Sequence, residues 1–416
     1  MTQDDSIQKE DSRASGELFL VLDLGVDILQ AGLATYNKQD EKAAILKYEQ
    51  DLTPQDSFQK DFCFDEQKIF STLIALISKL DAGLKNKVSH CFLAAPASYL
   101  AGRVFNFNFQ RQDPQTAIDL RELENVFIKT TFQIKDKIKE DIKQRMSGVS
   151  IHLVDGHLLN LKIDGYPVSN PEDLTGQQIA GQIFYIYTTE DCWQHWQKLI
   201  ELLHCREVFL MPRFWSLLQT LPVDRGIIID VGYQQTEISL KRQNLLVGQS
   251  SFNIGSVSFD YVLTEALGIG LSEAREIKSR YLAYSLSNQA QNRFTEIFKP
   301  VRQSWLQGVV VALQGLSPNA ILPEKIFITG SDDSPIDLIG DLKNVLLTEK
   351  LSFLDKNRLT IESLGARVAT QDKEQDASQN KGQKVVLSSL CQIALSFFKN
   401  TSPIARILKK SIKLAH

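Results

Sequence analysis

GIIIDVGYQQTEISL, residues 226–240, decides how this chain is read. An apolar run, Ile227 to Ile229, ends on Asp230, and Gly232 follows two residues later. After a polar turn the alternation resumes at Ile238 and Leu240. Nearly the same pattern occurs at 18–33, LFLVLDLGVDILQAGL, with Asp23 and Gly25. Each unit reads as a buried strand, an Asp-x-Gly turn and a second strand. Such a hairpin offers backbone N–H groups to a phosphate and a carboxylate to a hydrated metal ion. A single copy would be weak, since strands often end at Asp and Gly for turn reasons alone. Two copies about two hundred residues apart predict a duplicated architecture.

The bulk properties set the bounds. A chain of 416 residues accommodates two or three domains. Its 43% hydrophobic and 23% charged residues are ordinary for a globular protein. A formal charge of -4 gives no whole-molecule field for nucleic acid. Cys63, Cys91, Cys192, Cys205 and Cys391 form no CxxC pair and have no zinc spacing, which reads as reduced thiols. No signal peptide is legible in the polar residues 1–16, which read as disordered. No run reaches the roughly 18–20 apolar residues of a spanning helix.

Residues 17–101 read as strands, a helix with an apolar stripe (Ile69, Leu73, Leu76, Ile77, Leu80) and a buried strand at 88–95. Residues 102–181 have another texture and read as an inserted α+β domain. It comprises an alternating strand at 104–109, a helix over 116–145, and two strands around the turn Asp155-Gly156. A loop at 164–176 and a strand from 182 follow. The first lobe resumes at 182–222, and 223–369 form a second lobe. His152 and His157 lack a third ligand for a metal. No P-loop run exists, no serine or cysteine has a nucleophile's local setting, and the four tryptophans read as core.

Residues 370–383 hold Ala377 as their only apolar residue and read as a flexible linker. In 384–416, residues 385–398 are uncharged but would cover only about 21 Å as a helix. Ser402-Pro403 then opens a last helix. On a helical wheel Ile404, Ala405, Ile407, Leu408, Ile412, Leu414 and Ala415 share one half. Arg406, Lys409, Lys410 and Lys413 share the other, with no acidic residue. An apolar face backed by cations suits an anionic membrane surface, and the competing reading is a helix docked on the body.

Taken in order, these motifs resemble the FtsA family of actin-like cell-division proteins. LDLGVDILQAGL (22–33) is similar to the first phosphate motif and IIIDVGYQQTEISL to the second. VDGHLLNLKIDGYPVSNPEDLTGQQI (154–179) is similar to a stretch of the family's extra subdomain. NIGSVSFDYVLTEALGI (253–269), SEAREIKSRY (272–281) and KIFITGSDDSP (325–335) are similar to the connecting glycine and helix, the adenosine helix and the adenosine loop.

The resemblance implies an α/β, actin-like ATPase fold (ribonuclease H-like, duplicated) with an inserted SHS2-type subdomain. It also implies ATP and Mg as ligands, with Asp23 and Asp230 facing the metal and Gly25, Gly232, Gln235 and Thr236 in the phosphate hairpins. Gly255 would permit close approach, Lys278 would lie near adenosine, and Gly330 would start the loop beneath it. The implied function is a division scaffold on the cytoplasmic face of the bacterial inner membrane. It would form filaments with itself and hold an FtsZ-like ring protein. Its anchor would be the last helix, through Ile404, Arg406, Ile407, Leu408, Lys409, Lys410, Ile412 and Lys413.

All the nucleotide motifs depart from the family together. Val26 and Asp27 replace a hydroxyl turn, Tyr233 and Gln234 replace glycines, and Arg275 replaces a glutamate. Gly330-Ser331-Asp332-Asp333 replaces a glycine loop. These departures predict a weakened or lost ATPase. Two alternatives stay open: a PilM-like component of type IV pilus assembly, with a PilN-like peptide as partner, and a small-molecule kinase of the superfamily.

Overall fold

The computed structural model describes residues 16–58, 64–80, 88–143, 148–316, 321–330, 338–349, 351–364, 385–399 and 402–415. The linker expected at 370–383, the loop residues 331–333 and Cys63 lie outside them. Contacts divide the chain into two units. The first comprises Met1–Leu24, Leu29–Ser216 and Ser389–His416; the second comprises Gly25–Ile28 and Leu217–Ser388.

The first unit holds a five-stranded sheet in the order β3-β2-β1-β4-β9. Its strands are β1 (Glu17–Leu24), β2 (Ile28–Asn37), β3 (Lys42–Leu52), β4 (His90–Ala95) and β9 (Glu207–Pro212). The first three form an antiparallel meander, and β4 and β9 continue the sheet in parallel. β1 and β4 are nearly continuous apolar runs because both their faces are covered. The polar edge strand β3 gives no such signal, and it leaves Leu46 and Leu52 exposed. Helix α1 (Glu66–Leu80) buries Ile69, Leu73, Leu76 and Leu80, the stripe expected from its spacing. Helix α3 (Glu190–Leu202) is capped by the Thr189 hydroxyl and joined to α1 by Lys198 and Glu66, 2.8 Å apart.

Between β4 and β9 runs the inserted subdomain. Its sheet has the order β5-β8-β6-β7, from β5 (Ala101–Gln110), β6 (Ile151–Ile163), β7 (Tyr166–Pro167) and β8 (Gln178–Thr189). Helix α2 (Leu120–Lys143) packs on it. The expected turn at Asp155-Gly156 is no turn: β6 runs straight through it. Register shifts at Leu153/Asp155 and Leu158/Asn160 absorb the irregularity as bulges that sequence alone mistakes for a loop. β8 continues past residue 181 to Thr189.

The second unit repeats the first sheet. Its order is β12-β11-β10-β13-β14, from β10 (Arg225–Val231), β11 (Thr236–Arg242), β12 (Leu245–Phe252), β13 (Lys325–Gly330) and β14 (Thr360–Ser363). Again an antiparallel meander is extended by two parallel strands. Helices α5 (Ser256–Leu267), α6 (Leu271–Leu282), α7 (Asn288–Leu316) and α8 (Leu338–Thr348) surround a core that includes Ile227, Ile229, Trp305 and Leu313. Trp305 donates from Nε1 to the Thr236 hydroxyl at 2.9 Å, so this buried ring has its polar atom satisfied. α5 ends at Gly268, whose φ of 68° is the left-handed cap that glycine favours.

Two helices close the chain, α9 (Val385–Lys399) and α10 (Pro403–Leu414). Phe397 and Phe398 of α9 pack on Phe19, Tyr36, Phe92 and Phe209 of the first sheet. Among the described residues, no helix is long and apolar enough to cross a membrane. Leu93, fully buried in β4 between β1 and β9, gives a direct check on the first core. Leu93→Ala is expected to cost about 2–5 kcal/mol, read by denaturant unfolding.

Candidate functional site: the phosphate hairpins and the terminal helix

Asp23 and Asp230 end the first strands of their own units. Asp23 pairs in register with Gln30 and Ala94, and Asp230 with Glu237 and Thr329. Both are buried. Asp23 is engaged within its unit, where Arg213 at the start of α4 (Arg213–Thr220) holds Oδ2 at 2.9 Å. The sequence gives no hint of this arginine, because 190 residues separate the pair. Among the described residues, no group of three or more His, Cys, Asp or Glu side chains could hold a metal ion.

The turn Gly25–Ile28 groups with the second unit. Gly25 is required there, since a Cβ would run into the carbonyl of Ile28. Asp27 is buried and its Oδ1 lies 3.1 Å from Arg275 on α6. Arg275 also lies over the ring of Tyr233, with its guanidinium carbon 4.9 Å from the ring centre. Asp27, Arg275 and Tyr233 each depart from the family pattern, and they depart toward one another. Burial pulls the Arg275 guanidinium down, but Asp27 and Tyr233 outweigh it and the net shift is upward. Burial raises the Tyr233 phenol against the pull of Arg275.

The other expected contacts in the second unit are also occupied. Gly232 donates its N–H to the Gln235 carbonyl at 3.0 Å. Gln235 donates from Nε2 to Glu237 at 2.7 Å. The Thr236 hydroxyl is buried between Trp305 and the Ile254 carbonyl, 2.7 Å away. Gly255 stands at the N-terminus of α5, where a Cβ would collide with the carbonyl oxygens of Gly232 and Tyr233. Those carbonyls accept the Ser256 and Val257 N–H groups at 3.0 and 2.9 Å, so the hairpin itself covers the donors at that helix end. Lys278, only 2% exposed, donates to the Ser256 carbonyl at 3.0 Å and lies 2.8 Å from Asp260. Gly330 ends β13 opposite Val231.

The terminal helix is docked. Ile404, Leu408, Ile412 and Ala415 are buried in the core of the inserted subdomain, against α2 and β6, and Ile407 is partly buried beside them. Ala405 and Leu414, placed on the apolar half by the wheel, are exposed, so the buried stripe is narrower than the pattern suggested. Lys409 lies over Phe209 and Lys410 lies 2.6 Å from Glu124. Arg406 and Lys413 face solvent. The docked-helix alternative therefore describes this structure, in which the chain itself covers Ile404, Leu408, Ile412 and Ala415.

Three of the four tryptophans are core, with Trp196 and Trp305 fully buried and Trp215 nearly so, whereas Trp193 is only partly buried and stacks on His152. Burial lifts the Cys91 thiol well above its usual range and Cys205 to about 11, so neither is a reactive thiolate.

No protein-family model matches the chain, and no curated protein matches it. Solved structures do. A chain of the PilM–PilN type IV pilus biogenesis complex superposes with a TM-score of 0.60 at 14% identity, covering 91% of this chain and 98% of that one. The chain has the actin-like fold. The ethanolamine utilization protein EutJ from Carboxydothermus hydrogenoformans gives a TM-score of 0.49 at 10% identity, covering 90% of this chain and 89% of that one. MreB5 of Spiroplasma citri bound to ADP gives 0.44 at 11%, covering 92% and 99%.

The Asp27–Arg275 contact is open to a double-mutant cycle with Asp27→Asn and Arg275→Met. Chemical unfolding is expected to return a coupling of about 0.5–3 kcal/mol. A value of zero would mean the two charges are independent.

Proposed function

We propose that this protein is an actin-like scaffold that has given up nucleotide hydrolysis and assembles with a membrane partner, in the manner of PilM. The observation that carries the first half is the closure of Asp27, Arg275 and Tyr233 on one another. The residues that the resemblance assigns to ATP and Mg do not fit those ligands. In the second unit the Thr236 hydroxyl, the Lys278 ammonium and the first free N–H groups of α5 already have partners of their own. In the first, Asp23 faces a guanidinium. A phosphate arriving beside Asp27 would meet a carboxylate, and the cation suited to receive it is held by that carboxylate.

Two observations support a PilM-like role over a self-anchored division scaffold. A solved structure that superposes with a TM-score of 0.60 belongs to a PilM–PilN complex, and Ile404, Leu408, Ile412 and Ala415 of α10 are already buried. On this reading the protein works at the cytoplasmic face of the inner membrane, held there by a short peptide of a PilN-like partner and by copies of itself. The division reading, with an FtsZ-like partner, draws on the solvent-facing Arg406 and Lys413 and requires α10 to leave its groove. A small-molecule kinase would need an open phosphate cradle, and the engaged hairpins count against it.

Titration calorimetry with Mg-ATP tests the scaffold reading. No heat of binding is expected up to about 1 mM ATP, and micromolar binding would overturn it. Sedimentation with phosphatidylglycerol vesicles separates the two scaffolds. The PilM-like reading expects the unaltered chain to stay in the supernatant, and the division reading expects it to pellet.

A further inference from the structure

An open sheet has two outer strands, and an outer strand left uncovered is a template for another chain. Among the described residues those strands are β3 and β9, β12 and β14, and β5 and β7. All but β5 carry features that discourage pairing. β3 carries Lys42, Lys47, Glu49 and Asp51, β9 begins on Glu207 and ends on Pro212, and β12 pairs across a register shift. β14 has four residues, and β7 has two, one of them Pro167. β5 has ten residues and no proline, and its register with β8 is unbroken. Its one charge, Arg103, is held by Asp141 at 2.6 Å. All ten residues pair with β8, so alternate N–H and C=O groups turn to the other side. Among the described residues no strand meets them there.

We infer that β5 pairs antiparallel with β5 of a second copy of this chain, about a twofold axis at Asn106. This deepens the scaffold reading, which has copies of the chain meet without saying where.

Two observations point to a second copy. The first is a row of amides across the sheet. Asn160 donates to Gln182 at 2.7 Å, and Gln182 donates to Asn106 at 2.8 Å, so the row ends at the open edge on an exposed amide. An amide carries a donor and an acceptor with two lone pairs. Two Asn106 side chains related by a twofold axis can therefore donate to one another, and the row continues into the second sheet.

The second observation is charge. Lys129 lies 5.5 Å from the centre of the Phe109 ring, and Asp141 bonds Arg103, so α2 runs along β5 in the opposite direction. Twelve helical residues rise about 18 Å and six strand residues about 20 Å, so the two elements keep level. A twofold axis at Asn106 puts Arg103 opposite Phe109 of the second copy. It thereby brings Asp141 of each copy level with Lys129 of the other, at both ends of the contact. Phe105 falls opposite Phe107, on the face that both already bury beneath α2. An isologous contact requires this kind of self-complementarity.

Sedimentation equilibrium of the full chain tests the pairing. The unaltered chain is expected to pass from monomer toward dimer between about 5 and 500 µM, as a small interface should. Asn106→Lys and Asn106→Asp each place like charges on the axis. Each variant alone is expected to need at least about a tenfold higher concentration, and an equal mixture of the two is expected to associate at least as readily as the unaltered chain. Recovery in the mixture shows that both variants are folded. An unaltered chain that stays monomeric overturns the pairing and gives the edge to a strand of another protein, while the ATP measurement still judges the scaffold reading. A dimer indifferent to both variants, or a mixture no better than either variant alone, overturns it and moves self-assembly to another surface.

Hydrogen exchange on the unaltered chain needs no substitution. Alternate amides of Ala101–Gln110, those turned from β8, are expected to exchange at least about threefold more slowly at the upper concentration than at the lower. Equal rates overturn the proposal.

Discussion

The Arg275 guanidinium lies between the carboxylate of Asp27 and the ring of Tyr233, and the loops of the second unit close around it. A buried carboxylate at a hairpin tip needs a cation, because an isolated charge removed from water costs several kcal/mol. On the proposed reading, that pair takes the place a phosphate contact would have in the hairpin. The rest of the second unit's cradle is arranged to match. Gly232 and Tyr233 turn their carbonyls to the N-terminus of α5. Lys278 is buried against Asp260. Thr236 is tied into the core through Trp305. Each of these residue types could serve a nucleotide, and each has an internal partner. In the proposed reading the fold keeps the architecture of a phosphate site while its own side chains supply the charges.

The duplicated fold was legible because it rests on local signals. An apolar run, an Asp-x-Gly turn and a second strand are all contained within about fifteen residues, and the repeat at 18–33 announces the duplication. α1 was readable for the same reason, since Ile69, Leu73, Leu76 and Leu80 form a stripe that solvent and core separate cleanly. β3 was not, because an edge strand with one exposed face carries mixed polarity. The bulged passage of β6 through Asp155-Gly156 was read as a turn, since those two residues are common to turns and bulges.

The site was legible only as separate departures. Asp27 and Arg275 could each be recognised as unusual, but nothing local says that they meet, since they lie on different elements far apart in sequence. Arg213 beside Asp23 and Asp260 beside Lys278 were missed for the same reason. The terminal helix is the reverse case. Its amphipathic pattern is strong, and a pattern states that an apolar face will be covered without saying by what. Membrane, partner and own body all satisfy it. Ser411 held the discriminating clue: a serine within the apolar stripe suits a groove that offers a hydroxyl, and Thr131 offers one.

The central claim is that Asp27 stands where an anionic ligand would otherwise be held. Equilibrium binding of inorganic pyrophosphate to the full chain and to its Asp27→Asn variant tests this most directly. Removing the carboxylate leaves Arg275 without its main counter-charge. The account predicts that the Asp27→Asn chain binds pyrophosphate at least about tenfold more tightly than the unaltered chain. Pyrophosphate binding by the unaltered chain as tight as that of the variant would contradict it.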